Sequence, residues 1–158
     1  MLAVSTYQTN LDAVSQALWD RDLAQILRHI ALPNMMLTED AELVISSADE
    51  MQIVATEFRD HLDRLGADAY VRICRQAAFV PGSRTMIMGM HDTFILRDGL
   101  PVIAPLKNRM TLLLIDGCWR GARLEVETRN TDCPILSPDL AAAQRRELQR
   151  LGAGSTAD

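Results

Sequence analysis

The stretch YVRICRQAAFVPGSRTMIMGMHDTFILRDGLPVIAPLKNRMTLLLIDGCWRGARLEVETR, Tyr70 to Arg129, decides the fold. Its apolar residues recur at every second position, the period of a strand and not of a helix. Three turn signals divide it: Pro81-Gly82-Ser83, Arg97-Asp98-Gly99 and Asp116-Gly117. Asp-Gly supplies the positive φ angles of a tight hairpin. The pattern predicts four long strands, Tyr70 to Phe79, Thr85 to Leu96, Val102 to Ile115 and Trp119 to Arg129. Strands joined by short turns pair antiparallel.

Upstream, the period changes to that of a helix. Leu11, Val14, Leu18, Leu23, Ile26 and Ile30 form one stripe from Thr9 or Asn10 to Ala31. Trp19-Asp20-Arg21-Asp22 interrupts it, which predicts two helices meeting at a bend, and Pro33 stops the second. Met35 to Thr38 and Leu43 to Ser46 flank Glu39-Asp40-Ala41-Glu42 as a small hairpin. Ser47 with Glu50 three residues on is a capping box for a helix whose apolar face runs through Met51, Val54, Phe58 and Leu62, with Gly66 as its stop. Downstream, Thr131 to Leu136 reads as coil, and Ser137-Pro138 opens a last helix ending near Leu151. The division is a core domain over 1–130, an extension with one helix over 131–151, and a disordered tail over 152–158.

Length and composition narrow the class. A chain of 158 residues makes one ordinary domain, long enough to bury a core without disulfide or metal staples. No apolar run approaches the roughly 20 residues needed to cross a bilayer, so no membrane span is expected. Met1 to Asn10 lack a basic start, an apolar core and a cleavage signature; no secretion signal is expected, and a cytoplasmic location follows. Cys74, Cys118 and Cys133 are an odd, dispersed set without a CxxC pair, read as small apolar residues and not as a disulfide frame or zinc site. The net charge of −5 and the scattered basic residues give nucleic acid no electrostatic footprint. No HExxH, GxGxxG, P-loop or GxSxG occurs, so neither a metal nor a cofactor is expected.

Alternation sorts the strands into two faces. One holds Met86, Met88, Met90, Phe94 and Leu96 with Asp92 as the exception. It continues with Leu106, Met110 and Leu112, where Asn108 is the exception, and with Val71, Ile73, Ala77 and Phe79, where Arg75 is. This is the face the helices are expected to cover. A charge among apolar groups costs several kcal/mol unless paired. Arg75, Asp92 and Asn108 are therefore either a buried or rim ion pair with an amide satisfying backbone groups, or the lining of a pocket where a carboxylate moves protons. The opposite face carries Tyr70, Arg72, His91, Arg109, Arg123 and Glu125, among others, and reads as wetted or covered by a partner.

Two segments carry a resemblance. LLLIDGCWR (Leu112 to Arg120) and ALWDRDLAQILRHI (Ala17 to Ile30), in this order of elements, resemble the SnoaL-like group of the nuclear-transport-factor-like superfamily, the cystatin-like α+β cone. The resemblance covers Leu11 to Arg129. It implies an α+β fold in which N-terminal helices pack on a strongly curved antiparallel sheet, with a short C-terminal helix added. The family includes isomerases, cyclases, dehydratases and epoxide hydrolases beside binding and accessory members without catalysis. An acid on a long strand is a frequent proton carrier there, and Asp92 is the matching residue; Glu39 and Asp40 stand where other members place theirs. The tyrosine-and-two-aspartates set of ketosteroid isomerases is not complete. Two functions are thus expected as alternatives. One is a pocket for a small apolar ligand, lined by Met88, Met90, Phe94, Arg75 and Asn108, with Asp92 as acid–base group for lyase or isomerase chemistry. The other is a non-catalytic binding or assembly module using the outer sheet face. A homodimer through that face is expected in either case.

Overall fold

A computed structural model of the chain describes residues 2–154. Three helices, α1 (Leu2–Trp19), α2 (Leu23–His29) and α3 (Ala48–Arg64), pack on one face of a curved, unclosed sheet. The strands are β1 (Ile30–Leu37), β2 (Glu42–Ile45), β3 (Ala69–Phe79), β4 (Met86–Arg97), β5 (Leu100–Pro101), β6 (Leu106–Ile115) and β7 (Cys118–Val126), and a last helix, α4, spans Pro138–Gly154. The sheet order is β2-β1-β7-β6-β4-β3, with β5 against β4. All neighbours are antiparallel except β1 and β7, which run parallel. The helices give the expected α+β cone.

Local chemistry explains most boundaries. The bend after α1 holds Arg21 at φ 57°, and Asp22 caps α2 by accepting the Gln25 N–H at 3.2 Å. Asp116 and Gly117, at φ 50° and 74°, make the expected tight hairpin. At α3, the Glu50 N–H donates to Ser47 Oγ at 3.2 Å, and Glu50 Oε1 accepts the Ser46 N–H at 3.0 Å. Gly66 closes the helix at φ 74°, a left-handed angle that a side chain resists. Removing the cap in Ser47→Ala is expected to cost about 1 kcal/mol in urea unfolding; an unchanged midpoint would mean that this hydroxyl does not hold the helix start.

Four boundaries differ from expectation. Helix α1 begins at Leu2, well before Thr9, because its buried stripe runs through Ala3, Tyr7, Asn10 and Ser15, small and polar members that hydrophobic counting passes over. Strand β1 starts at Ile30, inside the expected helix, and crosses a cis Leu32–Pro33 bond. It lies beside β7, where the Asn34 amide donates to the Gly121 carbonyl at 2.6 Å. The expected third strand begins only at Leu106, after the short β5. Helix α4 continues through Gly154, so 152–154 are helical and not a disordered tail; residues 155–158 lie outside the described residues.

Candidate functional site

Every second residue of β4 faces the helices, and the inward set is Ile87, Gly89, His91, Thr93 and Ile95, all buried. The expected assignment of this strand is therefore inverted: Met88, Met90, Asp92 and Phe94 belong to the outer face. Met88 and Met90 are 57% and 38% exposed there. Strand β3 is inverted up to Cys74, with Arg72 buried while Val71 and Ile73 are exposed, and a bulge between Cys74 and Gln76 restores the expected parity at Ala77 and Phe79. On β6 the expectation holds, with Leu106, Asn108, Met110 and Leu112 buried.

Gly89 gives the reason. Tyr7 of α1 lies across it, so close that a Cβ would stand 2.5 Å from the tyrosine ring and 2.8 Å from the Gln76 carbonyl oxygen. Only a glycine admits that approach. The helix thereby lays its tyrosine along the inner face and fills the space between helices and sheet, packing Tyr7 and Leu11 with Ile87, Met110 and Leu112.

The polar side chains of this interior bond to one another and to nearby backbone, with His91 Nε2 as the exception. The Tyr7 hydroxyl lies 2.6 Å from His91 Nδ1, and both residues are almost wholly buried. With the ring proton on Nε2, the hydroxyl donates to Nδ1. Among the described residues His91 Nε2 has no hydrogen-bond partner. Burial, with the Arg72 charge adding to it, pushes the His91 pKa down to about 3, so the imidazole is neutral near pH 7. Burial drives the Tyr7 hydroxyl well above its ordinary range. Arg72 Nε donates to Ser15 Oγ at 2.8 Å and its Nη2 to the Leu11 carbonyl at 3.2 Å. Gln8 braces β3 just before the bulge, accepting the Cys74 N–H at 2.7 Å and donating to the Arg72 carbonyl at 2.9 Å. Thr93 donates to Asn108 Oδ1 at 2.6 Å.

Arg75 and Asp92 do meet, but on the outside. Arg75 Nε donates to Asp92 Oδ2 at 2.7 Å, with the two side chains 54% and 26% exposed. A pair so open to water contributes under about 1 kcal/mol. Asn108, at 6% exposure, sits in the interior on β6, on the opposite face from the outward residues of β4. The structure thus separates the residues expected to share one pocket. Asp40 serves its turn: it accepts from the Asn130 N–H and the Thr38 hydroxyl, and the backbone bond from Asn130 holds its pKa down.

Sequence reasoning missed Tyr7 and placed Arg72 and His91 on the wrong face. The usable signal was Gly89, a glycine within a strand of methionines, which marks close approach by another element.

The outer face is grooved. Clefts of about 390 and 450 Å³ share Met90, Arg109 and Glu125, so they run into one another across β4, β6 and β7. A third, of about 470 Å³, lies between the β1–β2 hairpin and α4. Among the described residues no cluster of histidine, cysteine or acidic side chains could hold a metal ion, and no helix is long and apolar enough to cross a membrane.

No protein-family model matches the sequence, and no curated protein sequence matches it. Solved structures do match the fold. An NTF-2-like protein of unknown function from Shewanella oneidensis superposes with a TM-score of 0.59 at 13% identity, over 78% of this chain and 98% of that one. One from Silicibacter pomeroyi gives 0.56 at 15% identity, over 80% and 95%. A ketosteroid isomerase-like protein from Erwinia carotovora atroseptica gives 0.53 at 12% identity, over 78% and 94%. The chain thus has the nuclear-transport-factor-like α+β cone fold. At such identities the likeness speaks for the fold, and function must be argued from the surfaces.

Proposed function

We propose that the protein is a binding or assembly module that acts through the outer face of its sheet, with a second copy of the chain as its partner. The observation that carries this is the apolar patch formed by Val71, Ile73, Met88 and Met90 on neighbouring strands, 40%, 39%, 57% and 38% exposed. Single exposed hydrophobics are ordinary, but four on the outer face of two paired strands, parted only by the Arg75–Asp92 pair, mark an interaction surface. The charges around it carry both signs, with Arg75 paired to Asp92, Arg123 paired to Glu125, and Arg109 set opposite Glu125 on the neighbouring strand, so two copies can meet without a single-sign field opposing them. Four strands about 4.8 Å apart and about 33 Å long present roughly 600 Å² per protomer, so a dimer buries roughly 1,200 Å², at the lower end of specific interfaces.

The interior speaks against an inner reaction chamber as the working part: Tyr7, Leu11 and Met110 fill that space. A narrower ligand reading draws on the outer clefts, whose volumes suit a small apolar molecule. In that form Met88 and Met90 line the ligand, and the acid–base role of Asp92 is not part of the proposal.

Analytical ultracentrifugation at tens of micromolar tests the main reading. The wild-type chain is expected to sediment as a dimer. Replacing Ile73 and Met88 together by glutamate is expected to give a monomer with a native circular dichroism spectrum. A wild-type monomer at that concentration overturns the proposal.

A further inference from the structure

Strand β2 ends the sheet, and its four residues leave one row of peptide groups without a strand neighbour. Val44 belongs to that row, and a single side chain occupies both of its peptide groups. The Val44 N–H donates to Gln144 Oε1 at 3.0 Å, and Gln144 Nε2 donates to the Val44 carbonyl at 2.6 Å. A carboxamide carries the donor and the acceptor of a peptide group, so α4 sets one imitation strand residue against the sheet edge. By strand alternation, Glu42 aims its peptide groups in the same direction.

The helix making this contact is buried only in its first turns. Ala141 is buried and Ser137 Oγ caps the first turn by accepting the Leu140 N–H. Beyond Gln144, residues 145–152 are all exposed, Leu148 and Leu151 at 63% and 57%. Between helix and hairpin lies the cleft of about 470 Å³, with Met35 and Leu37 in its wall and the carboxylates of Glu39 and Glu42 at its rim. Neither of these glutamates forms an ion pair with another of the described residues. The basic side chain facing the same cleft, Arg145, comes from α4 itself.

We propose that the β2 edge is a docking site for an extended, basic segment of a partner protein, and that α4 covers it by imitation. Gln144 takes the place of the incoming peptide group and Arg145 that of the incoming basic side chain. The incoming segment adds a strand to the sheet, its main chain bonding to Val44 and Glu42 and its cations facing Glu39 and Glu42. This surface adjoins the outer-face clefts, sharing Leu37, Thr38 and Glu39 with one of them, but its main-chain edge belongs to β2, and neither proposal depends on the other. A segment tethered within the chain competes at high effective concentration, so the site is weak until the clamp is released.

The test uses the full chain and a fluorescein-labelled Lys-Val-Lys-Val-Lys peptide, with Glu-Val-Glu-Val-Glu as control, followed by anisotropy. Removing two hydrogen bonds from the covering helix in Gln144→Ala is expected to tighten the basic peptide at least tenfold over wild type. Gln144→Glu, which loses the donor to the Val44 carbonyl, should do the same if the alanine variant folds poorly. Glu39→Gln with Glu42→Gln in the Gln144→Ala background is expected to weaken binding, and the acidic peptide should not bind. Amide exchange at Val44 should speed up in free Gln144→Ala and slow again with peptide. Equal affinity in wild type and both Gln144 variants overturns the proposal. So does association of Gln144→Ala beyond the state of the wild-type chain, in place of peptide binding, which would make the β2 edge of a further copy the occupant.

Discussion

Between pH 5.5 and 4 the folded chain is expected to lose stability at about 1.4 kcal/mol per pH unit because of His91 alone. The folded pKa of about 3 lies below the ordinary 6.5, so the neutral ring is the native form. In the unfolded chain the imidazole takes up a proton as the pH falls through 6.5, while in the fold it remains neutral. The contribution is therefore complete above pH 6.5 and is lost progressively down to about 3. Over the whole window it amounts to about 5 kcal/mol, comparable with the total stability of a small domain, so acid unfolding should precede protonation in place. Partial burial lowers His29 and His61 in the same direction, and their effect must be subtracted. His91→Gln does this: it retains an acceptor for the Tyr7 hydroxyl and does not titrate. Urea unfolding of both proteins at half-unit steps should show a steep wild-type slope and a shallow variant one. Parallel slopes would mean that the ring is not held neutral by the interior.

Gly89→Ala is expected to cost about 3 kcal/mol, at the top of the range for overpacking, and Gly89→Val more. The added carbon meets the Tyr7 ring at 2.5 Å and the Gln76 carbonyl oxygen at 2.8 Å. The ring can retreat only by giving up its bond to His91, and the carbonyl belongs to the backbone of β3. Tyr7→Leu in the same chain removes the first obstacle but not the second. A double-mutant cycle should accordingly give a coupling of about 1 kcal/mol or more, the double variant losing less than the sum. Strict additivity would place Tyr7 somewhere other than over Gly89.

Most of the secondary structure was legible along the chain because its causes are local. Ser47 with Glu50, Asp116-Gly117 and the bend at Trp19 to Asp22 specify their geometry through neighbours a few residues away. The order of elements followed from these signals, and the resemblance to the SnoaL-like group that it carries extended the reading to the curved sheet. The start of α1 was hidden because Ala3, Asn10 and Ser15 are buried by contacts with distant strands and not by their own hydrophobicity. The pairing of β1 with β7 was hidden for the same reason, since Asn34 reaches a carbonyl 87 residues away.

The faces of β3 and β4 mark the division most clearly. The sequence alone determined that β4 alternates, that its two sets of residues are chemically distinct, and that Arg75 and Asp92 fall on neighbouring strands, where a bulge could let them pair. Which set points inward was decided by tertiary structure. Hydrophobicity favoured the methionines and Phe94 for the interior, but α1 approaches the sheet too closely to leave them room. The inward places went to Gly89, which lets Tyr7 lie flat on the strand, and to His91, which meets its hydroxyl. A period of two fixes relative facing only, and a bulge of one residue reverses even that, as β3 does after Cys74. The candidate surface moved with it, from an enclosed pocket to the exposed side of the sheet, because close packing of one tyrosine against one glycine left the larger apolar side chains outside.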